Sequence, residues 1–308
     1  MSAEGLRGVF ADPPDPGPRT HTCAGAGGRA WAPVLGNGWA LVLVAPLLIV
    51  LAGLVLYPLA RLTVDSLTTG AGLDNYAAVF ESSAGRRSLI TTFVAAALVS
   101  VVAVSLGGLL AWYLRTARGS AVKVLLWLAV LVPFWMGTVV KNYSIVLLLS
   151  AEGPLNKVVQ ALGLGSVSLL YTSAAVAIGM VYTMVPYAAL TLYGVFLSVD
   201  ETLLDAARGM GASRSYAART VVLPLALPGI VAATALVFAI SLGFYVTPVL
   251  LGGAQTPFLA SFISDYIFTF FDYPVASAAS VILLVGAIAV LGGALLLVGR
   301  ERLARAVA

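Results

Sequence analysis

Apolar residues form long runs along this chain, each of roughly the same length. The runs cover residues 39–60, 89–114, 122–140 with a further apolar stretch at 143–149, 173–197, 229–251 and 275–298. A helix of about 20 apolar residues matches the roughly 30 Å hydrocarbon core of a bilayer, whereas the strands of a membrane barrel have about ten alternating residues. Because a helix satisfies its backbone groups within one segment, the pattern predicts an all-α membrane protein with about six transmembrane helices.

The composition supports a membrane class. Of the 308 residues, 60% are hydrophobic and 10% are charged, whereas soluble domains are about 25% charged. The sole cysteine, Cys23, and the sole histidine, His21, exclude an internal disulfide and a Cys/His metal cage, so no metal site is expected. Both lie in a Gly/Pro-rich stretch, and we predict a disordered cytoplasmic tail at 1–37, a transmembrane domain at 38–300 and a cytoplasmic C-terminal tail at 301–308.

The loops between spans predict an orientation. The tails and the even-numbered connections carry 12 of the 17 Lys and Arg residues, and the remaining five lie on the other side. Because cytoplasmic loops are enriched in Lys and Arg, both termini are predicted to be cytoplasmic.

In the second span, Ala103, Gly107 and Ala111 recur at four-residue spacing, and such a face lets helices approach closely. We interpret this face as internal packing rather than as a dimer seam.

The connection between the fourth and fifth spans, residues 198–224, is the most informative segment. Ser198 followed by Glu201 fits a capping box and predicts a helix that begins near Val199. At about 100° per residue, this helix separates a polar side from an apolar side. The polar side holds Glu201, Asp205 and Arg208, and the apolar side holds Leu203, Ala207 and Met210.

Gly209 and Gly211 favour termination of this helix, and Ser213 can cap a second helix that runs to Val222 and ends before Pro224 and Pro228. A short helix with small residues on its surface fits a groove on a separate protein. The alternative is an interfacial helix on the lipid surface, but such helices are usually rich in Lys and Arg on the polar face. This one begins with Asp200 and Glu201, which favours the protein contact.

The same stretch resembles the cytoplasmic signature loop of binding-protein-dependent ABC importers. The family pattern is Glu-Ala-Ala, three residues, Gly, nine residues, Ile, one residue and Leu-Pro, and every spacing fits here. Asp stands for Glu and Val221 stands for Ile. The resemblance implies a type I importer permease fold and an ATPase-coupling role for residues of this loop, which are Glu201, Asp205, Ala206, Ala207, Gly211, Leu223 and Pro224.

Further stretches are similar to the permeases of spermidine/putrescine importers. They are Leu73-Asp-Asn-Tyr76, Val132-Pro-Phe-Trp135 followed by Lys141-Asn-Tyr143, Gly153-Pro-Leu-Asn156 and Val181-Tyr-Thr-Met-Val-Pro-Tyr187. The resemblance implies a multi-pass protein of the bacterial inner membrane that imports a small solute, most specifically a polyamine. Permeases for ferric iron, sulfate or phosphonate are alternatives within the family, and a self-sufficient secondary transporter is the alternative outside it.

The resemblance also implies partners: two copies of an ATP-binding subunit, a second permease, an external solute-binding protein and membrane lipid, with no nucleic acid. The sequence has no Gly-Lys-Ser or Gly-Lys-Thr tripeptide and so no phosphate loop of the Walker type. We therefore expect a transport subunit rather than an enzyme, with no cofactor of its own and with ATP and Mg²⁺ bound by the partner ATPase.

No charged residue lies at the centre of a predicted span, which argues against a proton-coupled carrier. The candidates for the solute path are therefore neutral and mostly aromatic. They are Trp135, Asn142, Tyr143, Tyr182, Tyr187 and Tyr245. Aromatic faces attract cations by about 0.5–2 kcal/mol, although Tyr and Trp near span ends also anchor helices at the interface.

Overall fold

A computed structural model describes residues 37–70, 72–163, 169–253 and 256–307. The chain divides into two compact units, Met1–Tyr57 and Pro58–Ala308. In the first unit, the described residues belong to helix α1 (Asn37–Thr68), and nearly every side chain from residue 44 to 57 is exposed. A helix that is apolar on all sides is suited to lipid. The tail predicted at 1–37 lies outside the described residues except for Asn37.

The described residues are helical or connect helices, and they contain no strand. After α1 the helices are α2 (Asp74–Glu81), α3 (Ser83–Thr116), α4 (Ser120–Trp135), α5 (Thr138–Leu149), α6 (Pro154–Ala161), α7 (Ser173–Leu197), α8 (Glu201–Gly209), α9 (Arg214–Ala217), α10 (Leu223–Leu242), α11 (Val246–Leu251), α12 (Leu259–Phe268) and α13 (Tyr273–Val307). A π-helical turn, Ala218–Val222, joins α9 to α10. The last helix therefore continues through most of the predicted C-terminal tail.

The prediction of about six spans is confirmed, with two corrections. Five helices are long and apolar enough to cross a membrane, and the sixth candidate is a pair, α4 followed by α5 and α6, bent by 112°. The third span was predicted as one helix over 122–140, but it breaks at Met136 and Gly137. Pro133 inside α4 lacks an N–H, and Gly137 is extended, so both residues weaken helical continuity there.

The fifth span was predicted over 229–251, but it covers Ala218–Leu242. Pro224 and Pro228 did not end the helix as expected, because Pro224 lies in the first turn of α10, where a missing N–H costs little. The Leu223 N–H bonds to the Ala218 carbonyl, five residues back, which widens the turn before the prolines. At the other end, Gly243 closes α10, and α11 follows as a separate short helix.

The core of the larger unit lies where α3 crosses α7. At Gly107, a Cβ atom would lie 2.7 Å from Ala188 Cβ and 2.8 Å from the Ala189 backbone nitrogen. Ala103 and Ala111, one turn to either side, are fully buried. The small-residue face of α3 therefore packs inside the chain, which confirms the interpretation as internal packing.

The asparagines of the Leu73-Asp-Asn-Tyr76 and Gly153-Pro-Leu-Asn156 stretches each cap the end of the preceding helix. The Asn75 side chain on α2 donates to the carbonyls of Ser66 at 3.1 Å and Thr69 at 2.9 Å, and the Asn156 side chain on α6 donates to the Ser150 carbonyl at 3.1 Å. The last carbonyls of a helix have no intrahelical partner, so each asparagine satisfies the end of the helix before its own.

Candidate functional site

The loop helix α8 is capped by a different residue from the one expected. The Asp200 carboxylate accepts a hydrogen bond from the Thr202 N–H at 2.9 Å. The Ser198 hydroxyl instead donates to the Val195 carbonyl at 2.7 Å. The predicted capping box is thus wrong, and α8 begins at Glu201 rather than near Val199. Ser198 still lies on the last turn of α7, where its hydroxyl bonds a free carbonyl of that helix.

Charges on α8 suit the helix dipole. The Thr202 N–H holds the pKa of the Asp200 carboxyl below its usual range, because a hydrogen bond to the ionised form favours that form. Asp200 therefore stays ionised near pH 7 and keeps its cap at the N-terminal end. Toward the other end, Asp205 and Arg208 form an exposed ion pair at 3.2 Å. An exposed pair of this kind contributes about 0–1 kcal/mol, so it leaves Asp205 available to a partner.

A Schellman motif ends α8. The Gly211 N–H donates to the Arg208 carbonyl at 2.9 Å, and the Ala212 N–H donates to the Ala207 carbonyl at 3.1 Å. Gly211 itself has φ +89, a left-handed conformation that glycine adopts without a Cβ penalty. The expectation that Gly211 ends this helix is confirmed, and the reason for a glycine at this position is conformational.

The apolar residues of α8 differ in burial. Ala207 is buried and Leu204 is half-buried against the core, whereas Leu203 is 46% exposed and Met210 is 85% exposed. Leu203, Ala207 and Met210 were predicted to share one apolar side, and of these three only Ala207 packs within the chain, together with Leu204. Ala206 is exposed as well, so Leu203, Ala206 and Met210, at spacing i, i+3 and i+7, form an outward apolar face. We call these three residues the docking face.

The loop after α8 returns the chain to the membrane. The Ser213 hydroxyl accepts from the Tyr216 N–H at 3.3 Å, which confirms the cap on the second helix. Ala217 and Val222 are buried, and Leu223 and Pro224 are exposed in the first turn of α10. Because α8 packs against α9 and the π-helical turn, the loop is a folded unit between α7 and α10.

A groove of about 730 Å³ lies beside this unit. Its lining residues come from the end of α3, the connection to α4, α4 itself, α8 and the junction of α9 with the π-helical turn. Glu201, Asp205 and Arg208 line the groove from α8, and Arg115 and Arg118 line it from the end of α3 and the connection that follows. The groove therefore carries charges of both signs next to the loop helix.

The candidate path residues are separated by the structure. Trp135 is 81% exposed at the break between α4 and α5, and its ring centroid lies 6.2 Å from that of Phe134. The Phe134 ring lies 5.1 Å from the half-buried ring of Tyr187. Trp135 and Tyr187 thus share one aromatic cluster through Phe134, a residue not selected from the sequence although it lies in the quoted Val132-Pro-Phe-Trp135 stretch.

The other candidates lie elsewhere. Tyr143 is exposed on α5, Tyr182 is half-buried on α7, and the Tyr245 hydroxyl lies 3.2 Å from the Ser264 hydroxyl. Asn142 is only 1% exposed, and Lys141 before it is 3% exposed. The Asn142 amide donates to the Thr138 carbonyl at 2.9 Å, so Asn142 faces the interior of this chain rather than its surface.

Comparison with known proteins identifies the family. The family described as "Binding-protein-dependent transport system inner membrane component" matches residues 103–302. The spermidine/putrescine transport system permease protein PotB of Salmonella typhimurium is 31% identical over 213 residues, which cover 68% of this chain and 74% of that protein. The molybdenum transport system permease protein ModB of Azotobacter vinelandii is 29% identical over 162 residues, which cover 53% of this chain and 70% of that protein.

A solved structure shows the same fold. A chain in the crystal structure of a bacterial ABC transporter that imports the acidic polysaccharide alginate superposes with a TM-score of 0.71. The two chains are 19% identical, and the match covers 85% of this chain and 96% of that one. From the family match, the apolar spans and this fold, the chain belongs to the inner membrane components of binding-protein-dependent transport systems and is a permease subunit of an ABC importer.

Proposed function

We propose that this permease forms part of a polyamine importer and that α8 receives the work of ATP hydrolysis from a separate ATPase. The observation that carries the coupling role is the docking face, Leu203, Ala206 and Met210, which stays exposed although Leu204 and Ala207 hold the helix against the rest of the chain. Apolar residues at i, i+3 and i+7 are the contacts that a helix makes in a groove. Asp205, on the exposed polar side of the same helix, supplies a charge for the rim of that groove.

The rigidity of α8 supports this role. Its N-terminal end is capped by Asp200, its C-terminal end is closed by the Gly211 turn, and the helix packs against α9 and the π-helical turn that lead into α10. A displacement of α8 is therefore passed to α7 and α10 rather than absorbed by a loose loop. The lipid-surface alternative has less support, because the exposed polar side of α8 carries Glu201 and Asp205 rather than a set of cations.

The assembly that we propose has four kinds of partner. They are two ATP-binding subunits that hold ATP and Mg²⁺, a second permease, an external solute-binding protein and the surrounding lipid. Family membership implies dependence on a binding protein. Both termini and α8 would lie in the cytoplasm, since the positive-inside rule gives all three the same side.

The aromatic cluster of Phe134, Trp135 and Tyr187 supports a cationic solute. Trp135 is presented to the outside of the chain at the break in the third span, where a second permease can complete a path. A Trp face is the best cation–π partner among the aromatic side chains. Lys141, the cation nearest this break in sequence, is 3% exposed and therefore does not lie on the exposed surface where a dication would meet it.

The uptake experiment separates polyamine from the other solutes. The full complex, purified through a tag on this chain and reconstituted with its binding protein, is supplied with ATP and with labelled spermidine, putrescine or molybdate. We expect ATP-dependent uptake of spermidine or putrescine and none of molybdate. Uptake of molybdate alone would reject the polyamine assignment and leave the permease assignment intact.

The Trp135 ring has a predicted effect in the same assay. Trp135→Leu removes the π face but keeps an apolar side chain, so we expect the KM for spermidine uptake to increase about fivefold, as loss of ~1 kcal/mol implies. Trp135→Phe keeps a ring and is expected to stay within about twofold of the wild type. Leu128→Ala, at another exposed position on α4, controls for altered packing. Equal KM values for the Leu and Phe variants would contradict a cation–π contact.

A further inference from the structure

Arg115 joins two distant parts of the chain at the base of α8. It lies in the last turn of α3, and its guanidinium donates to the carbonyls of Phe196 and of Val199, the latter at 2.8 Å. Phe196 belongs to the last turn of α7, and Val199 lies two residues before α8 begins. One side chain therefore holds the end of α3, the end of α7 and the start of the loop helix together.

The end of α7, where Arg115 bonds the Phe196 carbonyl, is a favourable site for a cation. The last carbonyls of an α-helix lack intrahelical partners and carry the negative end of its dipole. A guanidinium presents its donors in a fixed fork, and here it bonds the Phe196 carbonyl at this helix end together with the Val199 carbonyl in the connection to α8. Hydrogen bonds from a charged donor are stronger than neutral ones, so this junction is held more firmly than an ordinary loop.

A second contact supports the same junction. One turn before Arg115, the Trp112 ring meets the Phe196 ring edge-on, with ring centroids 6.0 Å apart. Further along, the close crossing at Gly107 and Ala188 holds the middle of the two helices. The ends of α3 and α7 are thus held together by the ring contact and by the Arg115 hydrogen bonds, and the middles of the two helices are held by their close crossing.

We propose that Arg115 is a positioning residue for energy coupling, which makes α3, α7 and α8 move as one body when the ATPase displaces α8. This inference rests on the proposed docking of α8. Without the Arg115 bonds, the segment from Ser198 to Asp200 becomes a hinge. Displacement of α8 then bends this hinge instead of moving α3 and α7.

The test compares Arg115→Ala with Arg118→Ala in the reconstituted complex. Arg118 is an exposed arginine three residues away, and no hydrogen bond or ion pair joins it to the other described residues. Its loss therefore removes the same charge without breaking the junction. We expect Arg115→Ala to lower solute transported per ATP hydrolysed about tenfold, and Arg118→Ala to leave this ratio unchanged. Arg115→Lys, which keeps the charge but not the fork, is expected to lie between them.

Two further readouts separate this role from simple stabilisation. A cross-link from Met210→Cys to the ATPase reports docking, and it should persist in Arg115→Ala. Spin labels are attached at Thr116→Cys and Thr202→Cys, both exposed positions. In the chain that keeps Arg115, the distance between the two labels should be the same with and without ATP. In Arg115→Ala, the distribution of this distance should broaden or shift.

The outcomes are distinguishable. The positioning role is wrong if Arg115→Ala transports as much solute per ATP hydrolysed as the chain with Arg115. It is also wrong if the variant only lowers the yield of assembled complex. In both cases the proposed docking stands. If the parent chain itself gives no cross-link from Met210→Cys to the ATPase, the proposed docking fails, and the inference fails with it. The positioning role is supported if Arg115→Ala transports less solute per ATP hydrolysed, keeps the cross-link to the ATPase and changes the spin-label distance.

Discussion

Gly211→Val is expected to abolish ATP-driven uptake while the membrane spans remain folded. Gly211 has φ +89, and a residue with a Cβ costs about 1–2 kcal/mol in the left-handed region, with a β-branched side chain among the worst. The turn would open, α8 would lose the bonds to the Ala207 and Arg208 carbonyls, and the docking face would no longer be held toward the ATPase. We expect uptake by the reconstituted complex to fall at least about tenfold.

Two matched variants sharpen this prediction. Gly209 lies two residues earlier within α8, and nothing lies within 4 Å of a Cβ placed there. Gly209→Ala should therefore leave uptake unchanged, since alanine favours the helix. Gly211→Asn should retain part of the activity, because asparagine tolerates the left-handed region better than valine does. Wild-type uptake by Gly211→Val would show that the turn is not needed for coupling.

Gly107→Ala is expected to destabilise the whole larger unit. A Cβ atom at Gly107 would lie 2.7 Å from Ala188 Cβ and 2.8 Å from the Ala189 nitrogen, and neither backbone nor alanine can move away without separating α3 from α7. Overpacking of this kind costs about 1–3 kcal/mol. We expect the Tm of the detergent-purified chain to fall by about 2–10 °C, and Gly107→Leu to prevent accumulation of the folded chain.

The neighbouring glycine is the control. A Cβ atom at Gly108 would lie 3.4 Å from Leu192 Cδ1, which is close to an ordinary contact with the flexible end of a side chain. Gly108→Ala should therefore unfold within about 1–2 °C of the wild type. If both alanine variants lowered the Tm equally, the effect would come from the loss of glycine as such and not from the helix crossing.

The number of spans and their approximate positions could be predicted from apolar run length, because lipid requires long, self-satisfied helices. The breaks could not be placed in the same way. Hydropathy does not distinguish a straight span from the one bent at Gly137, and Pro224 was interpreted as a helix end although the π-helical turn before it accommodates it. Proline marks a missing donor, but whether the helix stops depends on the register of the preceding turn.

The candidate coupling loop was largely predictable, since motif spacing located Asp205 and Gly211 and local propensity predicted a helix between α7 and α10. The orientation of that helix was not predictable. A helical wheel placed Leu203, Ala207 and Met210 on one apolar side, whereas in the structure Ala207 is buried and Leu204 is half-buried, and Leu203 and Met210 are exposed. Only the tertiary packing of the loop decides which apolar residues remain for a partner.

Arg115 shows the same limit. In the sequence it is one of several basic residues that follow the second span, and the positive-inside rule accounts for all of them equally. Its bonds to Phe196 and Val199 join residues more than 80 positions apart, and no local pattern predicts such a contact. The aromatic cluster was predictable in part, because Trp135 and Tyr187 were selected for their ring chemistry but the Phe134 ring between them was not.

The most direct measurement of the central claim is a cross-link from the docking face. In a chain whose native Cys23 is replaced by Ser, Met210→Cys is treated in intact cells with a membrane-impermeant thiol reagent and, separately, with a short bifunctional cross-linker that enters the cell. We predict protection of Met210→Cys from the impermeant reagent and a cross-link to the ATPase, while Gln160→Cys on α6 is labelled from outside. Labelling of Met210→Cys from outside the cell, with no cross-link to the ATPase, would contradict the account.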